Sequence, residues 1–458
     1  MSKSVKAVPE LDLSIAYLPI GSIIPDPQNA RKHPARQLAQ LKAGMGQFGF
    51  TAPILIDEGR MIIAGHARLE VAKSLGLELV PAIQLRHLTP AQKTALALAD
   101  NKLGDLSSFD PDALAAQLRE LCAVDFQIEF TGFSTAEVDI LLEAPSLAVG
   151  DPADEVASPA LDEPATTRPG DLWLMDDHAL LAGNALKAAS YEQLLGDRLA
   201  DMVFTDPPYN VKIQGHVSGL GKVRHQEFAM ASGEMASEDF VQFLETYMSQ
   251  AARFSADGSV HYHCMDWRHL PEILTAGARV YKKLIALCVW NKSNAGMGSL
   301  YRSKHELVLV YKNGAKPHTN NINLGCDGRY RTNVWDYPGA NAFGRTRDAD
   351  LAAHPTVKPV ALVADAIRDC SRRGDTVLDP FAGSGTILLA AERTGRKAAA
   401  IELDPRYVDT AVRRWEQHTG KEARLAATGQ TFAEVATERA AAAADRPVSA
   451  PDEEQIDD

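Results

Sequence analysis

The chain has 458 residues, of which 45% are hydrophobic and 23% charged, and its formal net charge is −13 at pH 7. These values are typical of a soluble globular protein with two or three domains that can bury large cores. The first residues contain no apolar signal core and no apolar run approaches membrane-spanning length, so we expect a cytoplasmic protein without a membrane partner.

The negative charge is concentrated in two segments. Residues 151–163 and 450–458 each contain five Asp or Glu and no Lys or Arg. The rest of the chain is close to neutral, so a local basic surface, and with it a nucleic-acid partner, stays open. The cysteines include no close pair, which argues against a disulfide framework or a zinc knuckle and favours a reducing compartment; they are Cys122, Cys264, Cys288, Cys326 and Cys370.

The predicted elements of the first part of the chain alternate between strands and helices. Residues 61–65 predict a strand, residues 66–76 a helix and residues 77–83 the next strand. We therefore expect a small α/β domain over 11–105, followed by a helical connector over 106–144.

A shift in composition separates this part from the rest. Residues 145–169 carry five prolines, several acids and few large apolar side chains, which is typical of an acidic Pro-rich linker. An Ala-rich acidic segment at 426–458 is expected to be a disordered tail. The larger domain is therefore expected over 170–425.

Apolar runs separated by helical patterns predict the strands of the large domain, and they are “MVFTD” (202–206), “SVHYHC” (259–264), “LIALCVWNK” (284–292), “ELVLVYK” (306–312), “TVLDP” (376–380) and “KAAAIELD” (397–404). This alternation indicates an α/β fold with a doubly wound, mainly parallel sheet. Ligands of such sheets bind beyond the carboxyl ends of the strands, and Asp206 and Asp379 each lie at such an end.

The segment “DMVFTDPPYN” (201–210) ends a buried strand on an acid, two prolines and an aromatic residue. Proline cannot donate to a sheet ladder, and it favours extended geometry in the residue before it. The chain therefore leaves the sheet rigidly, with Asp206 and Tyr209 fixed at the carboxyl edge of the strand.

The segment “DTVLDPFAGSGTILLAAERTG” (375–395) predicts a strand, a glycine turn and a helix. Gly383 and Gly385 let the backbone approach a ligand, although tight packing of the strand on the helix is the alternative explanation. Glu402 ends the next strand 19 residues after Gly383, the offset at which an acid binds a ribose hydroxyl. Asp379 would repel a pyrophosphate but suits a cationic group, so S-adenosyl-L-methionine fits this pattern.

Three motifs carry a resemblance to a known family. “TDPPY” and “DPFAGSGT” resemble the amino-methyltransferases that modify exocyclic amines of DNA bases, and “HPTVKP” (354–359) is similar to a further cofactor-pocket motif of that family. The catalytic motif precedes the cofactor loop, an order that resembles the β-group, which includes cell-cycle-type adenine enzymes. The resemblance covers about 170–425 and implies a Rossmann-like methyltransferase fold that uses S-adenosyl-L-methionine and acts on double-stranded DNA.

The resemblance also implies site residues. The implied catalytic residues are Asp206, Pro207, Pro208 and Tyr209. The implied cofactor-binding residues are Asp379, Pro380, Phe381, Gly383, Ser384, Gly385, Thr386, Glu402, Thr356 and Lys358. No metal is expected.

A second resemblance concerns the first domain. “GHARLEVAK” (65–73) after a strand, with Arg31 upstream, resembles the N-terminal domain of ParB-like chromosome-partition proteins, which is related in fold to sulfiredoxin. The start of this helix is a candidate anion site, and its residues are Arg31, Gly65, His66 and Arg68. Ala67 and Glu70 stand where that family has arginines, so nucleotide binding, DNA contact and a purely structural cap all stay open.

The first residue of the catalytic motif bears on the target base. In the amino-methyltransferases Asp is usual for adenine N6 and Ser for cytosine N4, so Asp206 favours an adenine-specific enzyme acting on a flipped-out base. A cytosine-N4 enzyme and a non-catalytic ParB-like DNA-binding regulator remain the alternatives. The sequence does not define the recognised DNA sequence, a paired restriction enzyme or a homodimeric state. Because the expected substrate is DNA, we expect the protein at the nucleoid.

Basic side chains spread over 210–350 predict the target-recognition surface, because Lys and Arg contact phosphates and base edges. These residues are Lys212, Lys222, Arg224, Arg268, Lys282, Lys283, Lys292, Arg302, Lys304, Arg329, Arg331, Arg345 and Arg347.

Overall fold

A computed structural model describes residues 11–104, 106, 109–124, 126–142, 151–154, 164–210, 235–293, 300–322, 331–339 and 358–444. The chain divides into two compact units between Leu142 and Glu143. No helix among the described residues is both long and apolar enough to cross a membrane.

The first unit is a small α/β structure. Its strands are β1 (Ile15–Pro19), β2 (Ile54–Ile56), β3 (Ile62–Ala64) and β4 (Leu79–Gln84). Its helices are α1 (Ala35–Phe48), α2 (His66–Ser74), α3 (Pro90–Gly104), α4 (Pro111–Ala123) and α5 (Thr135–Leu142). The three elements predicted over 61–83 form as β3, α2 and β4.

The sheet of the first unit has the order β1-β4-β2-β3, and β4 pairs in parallel with β2 and antiparallel with β1. Ile54, Ile62 and Val80 form its core with Leu69 of α2. Helices α4 and α5 bury a separate small cluster around Leu118, so the segment predicted to be helical over 106–144 has an apolar core of its own.

The second unit contains a large sheet flanked by helices. Its strands are β5 (Leu172–Met175), β6 (His178–Ala182), β7 (Ala200–Thr205), β8 (Ser255–Met265), β9 (Lys283–Lys292), β10 (His305–Lys312), β11 (Val334–Tyr337), β12 (Thr376–Asp379), β13 (Lys397–Glu402) and β14 (Arg424–Leu425). Its helices are α6 (Ala188–Leu195), α7 (Ser237–Arg253), α8 (Leu270–Val280), α9 (Val360–Cys370), α10 (Thr386–Thr394), α11 (Pro405–Thr419) and α12 (Phe432–Ala444).

The strand order of this sheet is β11-β9-β10-β8-β7-β12-β13-β6-β5-β14. The five central strands, β8 to β6 in this order, are all parallel, and β10 and β5 pair antiparallel at their flanks. Phe204 packs with one group of core side chains and Val203 with another, so both faces of β7 are covered. The predicted doubly wound α/β sheet is confirmed.

Two segments differ from their predicted character. Of the expected linker over 145–169, residues 151–154 form a turn in which Ala153 is 3% exposed, and the buried Asp409 carboxylate accepts the Thr166 and Thr167 N–H groups at 2.7 and 2.9 Å. Composition alone missed these contacts because their partners are more than 200 residues away in sequence.

The expected disordered tail over 426–458 begins with ordered structure. Helix α12 covers its first part, and the Phe432 ring lies 5.1 Å from the ring of buried Trp173. An alanine-rich sequence has high intrinsic helix propensity, and one buried aromatic residue fixes this helix against the core. Residues 445–458 lie outside the described part.

Candidate active site

Two strand ends meet at the centre of the large sheet. β7 and β12 are neighbours, with Val203 opposite Leu378. The strand that follows β7 in the chain, β8, lies toward one edge of the sheet, and the strand that follows β12, β13, lies toward the other edge. Such a reversal of strand order opens a crevice at the carboxyl ends. The Thr205 hydroxyl donates to Asp379 Oδ1 at 2.8 Å, so the two predicted motifs are joined by one side chain.

Asp206 belongs to a cluster of charged side chains that lies at this edge. Lys358 Nζ lies 2.6 Å from Asp206 Oδ2 and 2.8 Å from Glu306 Oε2. Lys292 contacts the other oxygen of Glu306. The side chains of Lys358 and Glu306 are 4% and 8% exposed, whereas that of Asp206 is 25% exposed. Of the two acids, Asp206 is therefore the one that faces outward.

Aromatic groups surround this cluster. The Tyr209 hydroxyl donates to Asp206 Oδ1 and lies 3.2 Å from Glu306 Oε2. Lys358 Nζ is 5.5 Å from the Tyr209 ring centre and 5.7 Å from that of Trp290, distances at which a cation is attracted to an aromatic face. Tyr209 is thus oriented by its hydroxyl and half-buried beside Asp206.

Burial and charge act in opposite directions on these acids. Burial raises the pKa of Asp206, and the Lys358 charge offsets part of this rise. Burial also disfavours ionised Glu306, but Lys358 and Lys292 outweigh it and lower its pKa to about 2. The pKa of Lys358 is raised because its two carboxylates outweigh its burial. Each acid of the cluster is therefore favoured in its charged form by a lysine, and Lys358 by the acids.

The second motif lies at the ends of β12 and β13. Asp379, 6% exposed, accepts the Phe381 N–H at 3.0 Å, and Glu402 accepts the Gly383 N–H at 2.8 Å and the Asp404 N–H at 2.9 Å. Burial raises the pKa of Asp379 and of Glu402 to about 7 in each case. Both acids hold the glycine loop and have acceptor capacity left over.

The two glycines of the loop have different reasons to be glycine. Gly383 and Gly385 have φ values of 52° and 80°, which favour glycine. A Cβ on Gly383 would meet nothing within 4 Å, whereas one on Gly385 would lie 2.7 Å from the Ala411 Cβ of α11. Gly383 therefore leaves room beside the loop, and Gly385 allows close helix packing.

A buried arginine supports the loop from behind. Arg414 donates to the Ser384 carbonyl at 3.0 Å, to Thr386 Oγ1 at 3.2 Å and to the Ala153 carbonyl at 2.7 Å. Burial lowers its pKa to about 10. Asp154 Oδ1 in turn accepts the Val360 N–H at the start of α9. The turn over 151–154 therefore connects the loop to the helix that follows Lys358.

The structure brings together most of the residues implied by the motifs. The catalytic motif and the loop residues Pro380, Phe381, Ser384 and Thr386 lie at adjacent strand ends, and Phe381 packs on Phe243 and Tyr247. Lys358, expected to bind cofactor, contacts Asp206 instead of the glycine-loop acids. Thr356 lies outside the described residues.

Sequence reasoning missed Glu306 and Arg414, and it assigned Lys292 to the DNA surface. The available signal was a charge inside an otherwise apolar segment: Glu306 begins the run “ELVLVYK”, where an unpaired charge would be costly. Arg331 was also expected on the DNA surface, but it pairs with Asp365 and Asp369 at 3.0 and 2.9 Å and is not a free surface charge.

Some of the other residues of the expected DNA surface lie within the described part of the chain and some lie outside it. Arg268 pairs with Asp266 at 3.3 Å, and Lys282, Lys283, Arg302 and Lys304 are described. Lys212, Lys222, Arg224, Arg329, Arg345 and Arg347 lie outside the described residues.

In the first unit, the side chains of three anion-site candidates are hydrogen-bonded to backbone groups of other residues. Gly65 precedes α2 with φ 112°, and Arg68 donates to the Ala52 and Pro53 carbonyls at 2.8 and 2.7 Å. His66 Nε2 accepts the Asp26 N–H at 3.1 Å, and Arg31 lies 3.4 Å from the Asn101 carbonyl. These contacts connect α2 and α3 to the preceding loops.

Comparison with protein families matches three parts of the chain. Residues 200–413 match the DNA methylase family, residues 6–102 the ParB N-terminal domain, and residues 112–169 the ParB-methyltransferase HTH domain. Sequence reasoning had treated this last segment as a connector and linker, and it missed the helix-turn-helix family.

Individual relatives match each unit. The type II methyltransferase M.ScaI of Streptomyces caespitosus is 27% identical over 249 residues, 48% of this chain and 76% of that protein. The ParB-like nuclease domain-containing protein YnaK of Escherichia coli K12 is 47% identical over 81 residues, 18% of this chain and 93% of that protein. The solved structure of a putative DNA modification methylase from Thermus thermophilus, complexed with S-adenosyl-L-methionine, is 22% identical, with a TM-score of 0.37, and the match covers 56% of this chain and 97% of that one.

Proposed function

We propose that the chain methylates the N6 amine of adenine in duplex DNA, since residues 200–413 match the DNA methylase family and residues 6–102 match the ParB N-terminal domain. S-adenosyl-L-methionine is the cofactor of this family. The observation that carries the proposal is the adjacency of the two motifs: Thr205, next to Asp206, hydrogen-bonds to Asp379 of the cofactor loop at 2.8 Å.

The residues around the glycine loop fit this cofactor. The space beside Gly383 can admit a ligand against the backbone. Glu402 and Asp379 each retain lone pairs that suit ribose hydroxyls and a cationic amino group. When bound, the cofactor supplies an electrophilic methyl group.

Asp206 and Pro207 act on the target amine. The amine is a poor nucleophile because its lone pair is delocalised into the base. The Asp206 carboxylate accepts one N–H and the Pro207 carbonyl the other, which favours a tetrahedral nitrogen. The two prolines hold these acceptors in place before the base arrives. Because Asp206 is 25% exposed, the proton that leaves the amine has a route to solvent.

Tyr209 supports the flipped base. Extracting a base from the duplex costs a few kcal/mol, and stacking on an aromatic ring returns about 1–3 kcal/mol per base. Asp at the first motif position favours adenine N6 over cytosine N4. A cytosine product is the outcome that would replace this assignment.

We propose that α4 and α5 of the first unit do not bind DNA phosphates. Residues 106–144 contain eight Asp or Glu and one basic residue, Arg119. Lys and Arg supply most of the electrostatic affinity for DNA phosphates, and the negative charge of this segment would be repelled by DNA. The helix-turn-helix family match supports a DNA-associated role for the protein as a whole, with phosphate contacts made elsewhere.

The test is long-read modification sequencing of DNA from a methylation-deficient host that expresses the chain, beside a host that expresses Asp206→Ala. N6-methyladenine in one short motif, absent with the variant, is expected. N4-methylcytosine would overturn the target base. Unmodified DNA from both hosts would overturn the enzymatic proposal and favour a ParB-like binding role.

A further inference from the structure

Glu306 is a buried acid that the chemistry described above does not use. It lies at the start of β10, on the far side of β8 from β7. Its two oxygens contact Lys358 and Lys292, and the Tyr209 hydroxyl lies 3.2 Å from it. A buried carboxylate with two lysine partners is held in one position far more firmly than an exposed one.

Glu306 and Asp206 both bind Lys358, and both lie near the Tyr209 hydroxyl. Lys358 lies between them, 2.8 Å from one carboxylate and 2.6 Å from the other. The Tyr209 hydroxyl contacts both as well. The position of the outward-facing Asp206 is therefore set by Lys358, which Glu306 holds from the buried side.

The charge balance of the cluster depends on Glu306. The charges of the two carboxylates and the two ammonium groups sum to zero. Loss of the Glu306 charge would therefore leave an excess positive charge beside Asp206. Asp206 would then be the one carboxylate bound to Lys358, which would weaken Asp206 as an acceptor. The amine nitrogen gains positive charge as it is methylated, so an excess cation there would raise the barrier.

We propose that Glu306 is a positioning residue for methyl transfer: it holds Lys358 so that Asp206 keeps its orientation and its capacity to accept an N–H of the target amine. This inference rests on the proposed function and extends it to a residue that does not touch the base.

The charges predict opposite effects for two substitutions. The groups that face Asp206 are Lys358, Glu306, Tyr209, Cys264 of β8 and Asp379 of β12. Burial raises the pKa of Asp206, Lys358 lowers it and Glu306 raises it. Glu306→Gln should therefore move the acid limb of the rate profile to lower pH, and Lys358→Met should move it to higher pH.

The experiment measures single-turnover methylation rates from pH 5 to 9 on DNA that carries the motif found by sequencing. Glu306→Gln, which keeps the side-chain shape, is expected to lower the rate about tenfold or more. Glu306→Asp keeps the charge and should keep the acid limb at the wild-type pH. Calorimetric affinity for S-adenosyl-L-methionine should be unchanged in both, because Glu306 does not contact the glycine loop.

Glu392→Gln is the matched control, since Glu392 is also a partly buried, lysine-paired acid but lies away from Asp206. Its profile should match wild type. The proposal would be overturned if the acid limb of the rate profile stayed at the wild-type pH in both Glu306→Gln and Lys358→Met. It would also be overturned if the acid limb moved in the same direction in both variants. An inactive wild type would instead refute the proposed function, whereas an active wild type with an equally active Glu306→Gln would refute this inference alone.

Discussion

Two pairs of acids lie at one edge of the large sheet, and they are stabilised in different ways. Asp206 and Glu306 share Lys358, and Glu306 also pairs with Lys292. Asp379 and Glu402 accept backbone N–H groups, and Asp379 also a hydroxyl, while no Lys or Arg of the described residues is seen in an ion pair with either.

The consequence is a difference in ionisation at similar burial. Paired Glu306 has its pKa lowered to about 2, whereas burial raises the pKa of Asp379 and Glu402 to about 7. The pair Asp206 and Glu306 has lysine partners, whereas Asp379 and Glu402 have no cation among the described residues. A ligand with a sulfonium and an amino group would supply the missing charge, so the contrast is what a cationic cofactor requires.

The largest expected effect on the methylation rate comes from Asp206→Ala. Loss of one preorganised acceptor at the reacting amine should lower the single-turnover rate about 10²- to 10³-fold. Affinity for S-adenosyl-L-methionine, measured by calorimetry, should stay at the wild-type value. The exposed acid variant Asp177→Ala is the control. A near wild-type rate would remove Asp206 from the mechanism.

Glu402→Gln should act on cofactor binding. The amide cannot accept from Gly383 and Asp404 on both sides, and it loses the charge that favours ribose hydroxyls. Hydrogen bonds to charged groups contribute about 1.5–3 kcal/mol, so the Kd should rise roughly 10- to 100-fold in calorimetry. Glu392→Gln should leave the Kd unchanged. An unchanged Kd for Glu402→Gln would contradict the ribose role.

The pH dependence of cofactor affinity follows from the raised pKa values. An acid with a pKa of about 7 is mostly protonated at pH 6 and ionised above pH 7, so pairing with a cationic group is weak at pH 6 and strengthens as the pH rises. Affinity should increase about tenfold between pH 6 and pH 7.5. The increase should be smaller in Asp379→Asn, and a flat profile in wild type would refute the assignment of these acids.

A smaller effect is expected from Arg414→Met behind the loop. The change leaves the carbonyls of Ser384 and Ala153 without their donor. An unsatisfied buried acceptor costs about 1–3 kcal/mol, which should appear in the free energy of unfolding measured with denaturant. Arg413→Met changes the exposed neighbour on the same helix and should cost less. Equal losses in the two variants would argue against the loop-supporting role.

Prediction from sequence worked best where a pattern is local. The alternation of apolar runs and helices gave the central strands β7, β8, β12 and β13, because their side-chain periodicity is written in consecutive residues. The short strands β5, β6, β11 and β14 were not predicted. β5 and β14 have two to four residues each, and pairing with longer neighbours, not their own pattern, fixes them.

The site divides in the same way. Asp206 and the glycine loop were predictable because a strand that ends on an acid and a rigid or glycine turn has a meaning independent of context. Lys358 is 152 residues from Asp206 in sequence, and Glu306 is 97 residues from Tyr209. Neither spacing carries a periodic signal, so these contacts could not be derived.

The sequence by itself determined the two motifs, their order and the type of sheet that presents them, since each depends on neighbouring residues and on general rules for parallel strands. The tertiary structure alone decided which charges meet. It assigned Lys358 and Lys292 to buried acids, Arg331 to an ion pair and Arg414 to the back of the loop. The physical reason is that a buried charge requires a partner, and the fold, not the local sequence, determines which partner is within reach.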